Sequence, residues 1–377
     1  MTLRRTKAVA RKEFLHILRD PRSLIMALAM PLLLLLLFGY ALTLDVDRIP
    51  TVLFDRDQSP QSRELLAQFR GSRFFEILDS VRDYASIEKG IDRNTFLLGI
   101  IVPPDYSRNL NADHEASVQV LIDGSDSNTA SIALGYVQAV VQGYGSQLQM
   151  DAQIRKTGVS LNSAVEPRVR IMYNTDLKSK NYIVPGLIAV VLMIISALLT
   201  SLTIAREWET GTMEQLLSTP IRPAELVLGK LSAYFVLGLC DLLIALVVSV
   251  MIYRVPLRGN GLFLFLTSCI FLFGSLCWGI FLSATARSQL LAYQLGALTS
   301  FLPAFLLSGF VYAIENMPAL IQVVTYIFPA RYFITILKGI FLKGIGLRVL
   351  WIEVAFLSLY SAAVFIIATR KLRQKVA

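Results

Sequence analysis

Residues 183–205 read IVPGLIAVVLMIISALLTSLTIA, and residues 206–220 continue REWETGTMEQLLSTP. The first stretch has 23 residues and no charge, more than the roughly 20 that a helix needs to cross a hydrocarbon core. The second turns abruptly polar, holds three glutamates and a Thr-Gly-Thr break, and ends at Pro220. An apolar helix that empties into a short, acidic, amphipathic segment belongs at a membrane surface.

Working outward, five further runs qualify as spans: Leu24–Leu44, Leu231–Tyr253, Leu262–Ala286, Leu290–Tyr312 and Val349–Thr369. Two of them hold an acid, Asp241 in the third span and Glu353 near one end of the sixth. Met317–Leu342 is also apolar, but Pro318, Pro329 and Gly339 break it and Arg331 and Lys338 charge it. It reads as two short helices that dip into the membrane from one side. The expected fold is a polytopic α-helical membrane protein of six spans.

Composition agrees. The chain has 377 residues, of which 55% are apolar and 17% charged, against about a quarter charged in soluble domains. Its net charge of +9 is the sum of two ends. Residues 1–23 have a net of +5 and residues 370–377 a net of +4, so the 346 residues between them are neutral. Basic flanks stay on the cytoplasmic side, so both termini are expected there. The first run is longer than a signal-peptide core and no small-residue cleavage site follows it before Asp45, so it reads as an uncleaved anchor.

Asp45–Tyr182 is a 138-residue insertion of ordinary polarity between the first two spans, with 15 basic and 18 acidic side chains. By sidedness it lies outside the cytoplasm. β-rich runs at Thr51–Phe54, Phe96–Val102, Val118–Ile122 and Val169–Tyr173 alternate with helices at Gln61–Phe69, Tyr84–Gly90 and Thr129–Lys156, an α/β pattern. Ser127 or Asn128 is the expected cap of the long helix, and Asp123 and Asp126 read as turn and capping residues. The insertion has no phosphate loop, nucleophile elbow or metal cluster. It is expected to serve as a substrate path or docking element.

The cysteines, Cys240, Cys269 and Cys277, all fall in expected spans and read as packing residues. His16 and His114 lie on opposite expected sides, so they form no paired site within one chain. At the N terminus, Ala10, Phe14, Ile17 and Leu18 recur at helical spacing among Lys7, Arg11, Lys12 and Arg19. Such a basic amphipathic helix lies in the headgroup layer, and Asp20-Pro21-Arg22-Ser23 bends it into the first span. Thr212 and Glu214 open a second short helix, on which Met213, Leu216 and Leu217 share one face and which Pro220 stops.

These segments together resemble the type-2 ABC transporter permeases, within them the YbhS/YbhR-like exporter subunits of the bacterial inner membrane. The resemblance rests on four motifs in register: Arg11-Lys12-Glu13 with Arg19-Asp20-Pro21; Arg206–Glu214 with Leu217-Ser218-Thr219-Pro220; Leu307-Ser308-Gly309-Phe310; and Phe328-Pro329-Ala330-Arg331-Tyr332. It implies that residues 206–230 form a cytoplasmic coupling loop in which Glu207, Gly211, Thr212, Glu214 and Leu217 meet a separate ATPase subunit. It implies that residues 1–23 form a connecting helix marked by Lys12, Glu13, Arg19, Asp20 and Pro21. Residues 317–342 would be outward-facing re-entrant helices, with Ser308, Gly309, Pro318, Pro329 and Arg331 at an outer gate. It further implies a second permease, identical or related, and export of drugs or amphipathic, lipid-like compounds. A periplasmic adaptor of the membrane-fusion type follows by analogy from the large outer domain.

No Gly-x-x-x-x-Gly-Lys-Ser/Thr loop exists, since Gly229-Lys230 lacks the upstream glycine and runs into Leu231. ATP and Mg are therefore expected in the partner subunit, with no cofactor, catalytic residue or metal in this chain, and nucleic acid is not an expected partner. The competing reading starts from Asp241, because an acid inside a span is costly and often functional. It would make the chain a cation/proton antiporter, although no internal repeat supports that. A third reading, a membrane-anchored receptor, would explain the outer domain and leave six spans without a purpose.

Overall fold

The computed structural model describes residues 3–41, 48–112, 114–157, 172–174, 178–286 and 288–376. The chain divides into two compact units, one of residues 44–170 and one of everything else. In chain order it begins with α1 (Leu3–Arg19) and α2 (Pro21–Ala41), separated by Asp20 alone. Proline is tolerated at the first helical position because no intrahelical bond uses its missing N–H, so Pro21 can open a helix immediately after α1 closes.

The smaller unit is an α/β layer structure of β1 (Ile49–Asp55), α3 (Pro60–Gly71), β2 (Phe75–Ser80), α4 (Tyr84–Asp92), β3 (Leu98–Val102), α5 (Tyr106–Asn111), β4 (Gln119–Ile122) and α6 (Ser127–Thr157). The sheet order is β2-β1-β3-β4; β1 runs parallel to both neighbours and β4 closes the edge antiparallel to β3. Side chains alternate across the sheet. Leu53, Leu98 and Ile100 pack with Leu65 and Phe69 of α3 and Val137 of α6 on one face, while Val52 and Ile101 meet Ile87 of α4 on the other. β3 is buried throughout, as a central strand covered on both faces must be. Two elements escaped the sequence reading: β2, a mostly exposed edge strand, and the six-residue α5. Of the run Val169–Tyr173, residues 169–171 lie outside the described residues and Met172 and Tyr173 form no strand. The side chains of Ser127 and Asn128 are likewise outside the description. Asp123 closes its turn by accepting from Ser125 N at 2.9 Å.

The larger unit continues with α7 (Ser179–Glu209), α8 (Thr212–Leu217), α9 (Pro223–Met251), α10 (Gly261–Thr285), α11 (Gln289–Leu306), a 3-10 turn at Ile314–Asn316, α12 (Ala319–Thr325), α13 (Pro329–Lys338) running on as a π turn over Gly339–Lys343, and α14 (Leu347–Val376). By length and composition α7, α9, α10, α11 and α14 can each cross a bilayer, and α12 with α13 gives a sixth crossing if that pair, bent by 85°, is one broken span. α2, of 21 residues, starts three residues before the expected 24–44; its described apolar stretch is Ala27–Ala41, and residues 42–44 lie outside the described residues. α7 is the axis of the bundle, with Ile183–Ala197 buried throughout among α2, α9, α10, α11 and α13. α9, α11 and α14 instead leave Leu243, Val247, Leu298, Leu359 and Ile367 exposed. Apolar surface on this scale is stable in hydrocarbon and not in water.

Three expected boundaries move. The polar loop of 206–230 shrinks to the linkers around α8, because α7 runs on to Glu209 and α9 starts at Pro223, where Arg222 N is capped by Glu225 Oε2 at 3.1 Å. α11 stops at Leu306 instead of reaching Tyr312, since Gly309 turns the chain at φ +78°. The basic tail of 370–377 is no tail, because α14 continues as helix to Val376.

Candidate functional site at the junction of α1, α7, α8 and α9

Two helices can approach closely where one offers a residue without a side chain. Gly229 lies on the first turns of α9, and a Cβ there would stand 2.6 Å from Val9 Cβ and 3.1 Å from Thr6 O of α1. α1 therefore lies directly on α9, with Val9 and Glu13 buried. Its apolar residues Phe14, Leu15 and Leu18 face outward instead, as a helix set in a headgroup layer requires.

This contact buries a group that the sequence reading passed over. Lys230 is 1% exposed, and a charge that deep is tolerable only when paired and hydrogen-bonded. Its Nζ donates to Glu13 Oε1 at 2.7 Å and to Glu207 Oε1 at 3.1 Å. Lys12 Nζ donates to the same Glu207 oxygen at 2.8 Å from the rim. The other oxygen, Glu207 Oε2, accepts from Thr212 Oγ1 at the start of α8. One buried carboxylate thus joins four helices.

α8 is held at its far end too. Arg5 Nη1 donates to Pro220 O, and lies 4.0 Å from the buried Glu225 carboxylate of α9. Between its two anchors α8 buries Met213 and leaves Glu214 and Gln215 exposed. Gly211 precedes it at φ +75° with open space where a Cβ would be, so the reversal from α7 into α8 uses the left-handed region that glycine enters freely. The side chain of Leu217 lies outside the described residues.

The structure therefore gathers Lys12, Glu13, Glu207 and Thr212, with Gly211 and Glu214 beside them, and adds Arg5, Glu225 and Lys230. Arg19, Asp20 and Pro21 form the α1–α2 corner and are not part of this network. A lysine at the entry of an apolar span was the available signal for Lys230, since it demands a carboxylate partner. Which carboxylates answered was not readable.

The residues expected at an outer gate fall into two separate sets of contacts, one at the chain reversal after α11 and one between α12 and α13. Ser308 Oγ donates to Ala304 O, and Gly309 O accepts from Tyr182 Oη at 3.0 Å and from Lys338 Nζ at 3.1 Å. The Lys338 ammonium lies 3.5 Å from the centre of the Tyr182 ring. Arg331 ties α13 back to α12 through Gln322 O at 3.3 Å and Thr325 Oγ1, and stacks on Tyr326 at 3.8 Å. Pro318 and Pro329 stand at the N-terminal ends of α12 and α13. Lys338 and Tyr182 were not anticipated as members.

Asp241 belongs to none of these sets. It is buried on α9, three turns beyond Lys230, and its Oδ1 has no hydrogen-bond partner among the described residues. Among the described residues no group of His, Cys, Asp and Glu could hold a metal.

Residues 21–370 match the model described as "ABC-2 family transporter protein". The chain is 37% identical over 370 residues to "Probable multidrug ABC transporter permease YbhS" of Escherichia coli K12, covering 97% of this chain and 96% of that protein. It is 33% identical over 342 residues to "Probable multidrug ABC transporter permease YbhR" of the same organism, covering 90% of each. It is 26% identical over 332 residues to the "Inner membrane transport permease YhhJ", covering 87% of this chain and 86% of that one.

Proposed function

The chain belongs to the ABC-2 family of transporter proteins, and on that premise we propose that it is the permease subunit of an ATP-driven exporter in a bacterial inner membrane. ATP and Mg²⁺ are bound by a separate nucleotide-binding subunit, since this sequence lacks the phosphate loop. α8 is the coupling helix that meets that subunit, α1 is the connecting helix, and both termini face the cytoplasm, with the 45–182 domain outside. A second permease, identical or related, completes the translocation path, and a periplasmic adaptor docks on the outer domain. The cargo is drug-like or amphipathic, in keeping with the printed description of the YbhS and YbhR relatives.

One observation supports this reading most: α8 is held at its start by Glu207 of α7, which Lys12 of α1 also meets, and just past its end by Arg5 of α1 at Pro220, while Glu214 and Gln215 stay exposed. A push on Glu214 is passed to α1, α7 and α9 together, because Thr212, Lys12 and Lys230 all end on Glu207. The antiporter reading gains nothing from the family, and Asp241 lies apart from the ion network and the outer-gate contacts.

Purification from native membranes is expected to bring down a distinct phosphate-loop ATPase. Glu214→Arg, on the exposed face, is expected to uncouple hydrolysis from export while the spans remain folded. Full-rate transport by the permease in vesicles without any ATPase would overturn the proposal.

A further inference from the structure

α1, α2 and α7 enclose a cavity of about 580 Å³ whose wall continues onto α9 and Tyr293 of α11, within the range of about 300–1,000 Å³ usual for small-molecule sites. Its two ends differ in chemistry. One is walled by Met30, Ile195, Leu199 and Leu237; the other by His16, Arg206 and the Lys12–Glu207 edge of the ion network. Ile195 to Arg206 covers 11 residues of one helix, about 16 Å, so the cavity is long in the direction that separates oil from charge. A ligand that fills it needs a tail and a head.

The sign of the head follows from which charges are already matched. Among the acids in the wall, Glu13 and Glu207 are ion-paired with Lys230 and Lys12, and Asp20, at the α1–α2 corner, makes an interaction of its own, apart from the contacts of Arg206 to Gln289 and His16. Lys12 and Lys230 are spent on those carboxylates. Arg206 is different. Its Nε donates to Gln289 Oε1 at 3.3 Å and its Nη1 lies 3.4 Å from His16 Nε2, and among the described residues no carboxylate pairs with it. The uncompensated charge at the polar end is thus a guanidinium, a planar fork suited to a carboxylate or phosphate, with an imidazole beside it.

We propose that this cavity binds an amphipathic anion, an alkyl tail on a carboxylate or phosphate head, with the head on Arg206 and His16 and the tail along Met30, Ile195, Leu199 and Leu237. Its head end shares Lys12, Glu207 and Thr212 with the anchor of α8. Occupancy is therefore felt where the ATPase would dock. The proposal names a substrate class for the exporter and rests on that reading only for the direction of movement; binding itself needs no ATPase.

The test uses the full chain in phosphatidylcholine nanodiscs and a fatty acid with a photoreactive diazirine in its tail. Labelled peptides are expected to be those holding Met30 and Ile195–Leu199. Arg206→Gln should reduce labelling about tenfold or more, the loss of a charge-assisted contact of roughly 1.5–3 kcal/mol, while Arg206→Lys retains most of it. Leu199→Trp, which fills the tail end and leaves the head alone, should abolish labelling, and serves if Arg206→Gln fails to fold. A diazirine amine of the same length should label weakly and ignore Arg206. Adding phosphatidylglycerol separates the two sources: suppression identifies a leaflet lipid as the occupant, and no suppression a free amphiphile. Equal labelling by acid and amine, or indifference of the acid to both Arg206→Gln and Leu199→Trp, would overturn the proposal. Loss of the site leaves the ATPase co-purification untouched, and failure of that co-purification leaves the labelling intact.

Discussion

Lys230→Met tests whether the buried ion network holds the junction together. Methionine keeps much of the length of the lysine stem and removes the charge, so the perturbation is electrostatic. At an effective dielectric of about 20, the contacts at 2.7 and 3.1 Å are each worth roughly 5–6 kcal/mol before opposing terms. Desolvation of three buried groups and repulsion between Glu13 and Glu207 cancel much of this. Removing one partner of a buried pair typically costs about 3–5 kcal/mol, because the other charge is left stranded. Lys12 makes a contact of the same length, 2.8 Å, but its side chain is 53% exposed, which limits Lys12→Met to about 1 kcal/mol or less. Burial decides between the two lysines, and distance does not.

Amide hydrogen exchange along α1 reads the difference, since local opening sets the exchange rate. At 1.4 kcal/mol per decade, Lys230→Met should speed exchange in α1 by about two to three and a half orders of magnitude, and Lys12→Met by about fivefold at most. Glu207 keeps Lys12 at 2.8 Å, so the carboxylate left stranded is Glu13, and adding Glu13→Gln to Lys230→Met should recover part of the loss. If the two lysine substitutions had equal effects, or if Lys230→Met left α1 protected, the network would not be what fastens α1 to α9.

Other substitutions separate backbone, packing and charge. Gly229→Ala should push α1 off α9, and because the added Cβ would stand 2.6 Å from Val9 Cβ, an atom that alanine also carries, adding Val9→Ala should not restore exchange protection in α1, whereas adding Val9→Gly should recover part of it. Gly211→Ala meets no neighbour, so its cost should be the left-handed backbone alone, about 1–2 kcal/mol, with Gly211→Asn nearly neutral in thermal stability. Asp241→Asn should leave thermal stability unchanged or raise it, since the carboxylate has an unpartnered oxygen; unchanged export of cationic substrates would remove this acid from transport. In the α/β unit, partial burial opposes ionisation of Asp57, but hydrogen bonds from Ser59 and Ser107 hold its carboxyl below the ordinary 3.8. Its contribution is therefore complete above that value and lost as pH falls through the lower folded value. Exchange at the Asp55–Ser59 loop should rise in that window, and Asp57→Asn should abolish the pH dependence.

The legible part of the fold was the part written in local runs. Charge-free stretches such as Ile183–Ala205 must be helices in hydrocarbon because no other local structure satisfies their backbone. The small sheet was legible where strands are buried and β-branched, as at Thr51–Phe54, and illegible at β2, whose exposed positions read as loop. Span ends were misjudged where a cap or a left-handed glycine overrode hydropathy, at Pro223 and Gly309.

The candidate site divides in the same way. Glu207, Gly211, Thr212 and Glu214 stand within one short segment, so the sequence alone marked that segment. Lys230 is 217 residues from Glu13 and 23 from Glu207, and in the sequence it was a lysine after a glycine with no phosphate loop. Only tertiary packing made it the centre of the junction. Gly229 lets α1 lie on α9, that contact excludes water, and a charge without water must find its counter-ions on whichever helices reach it.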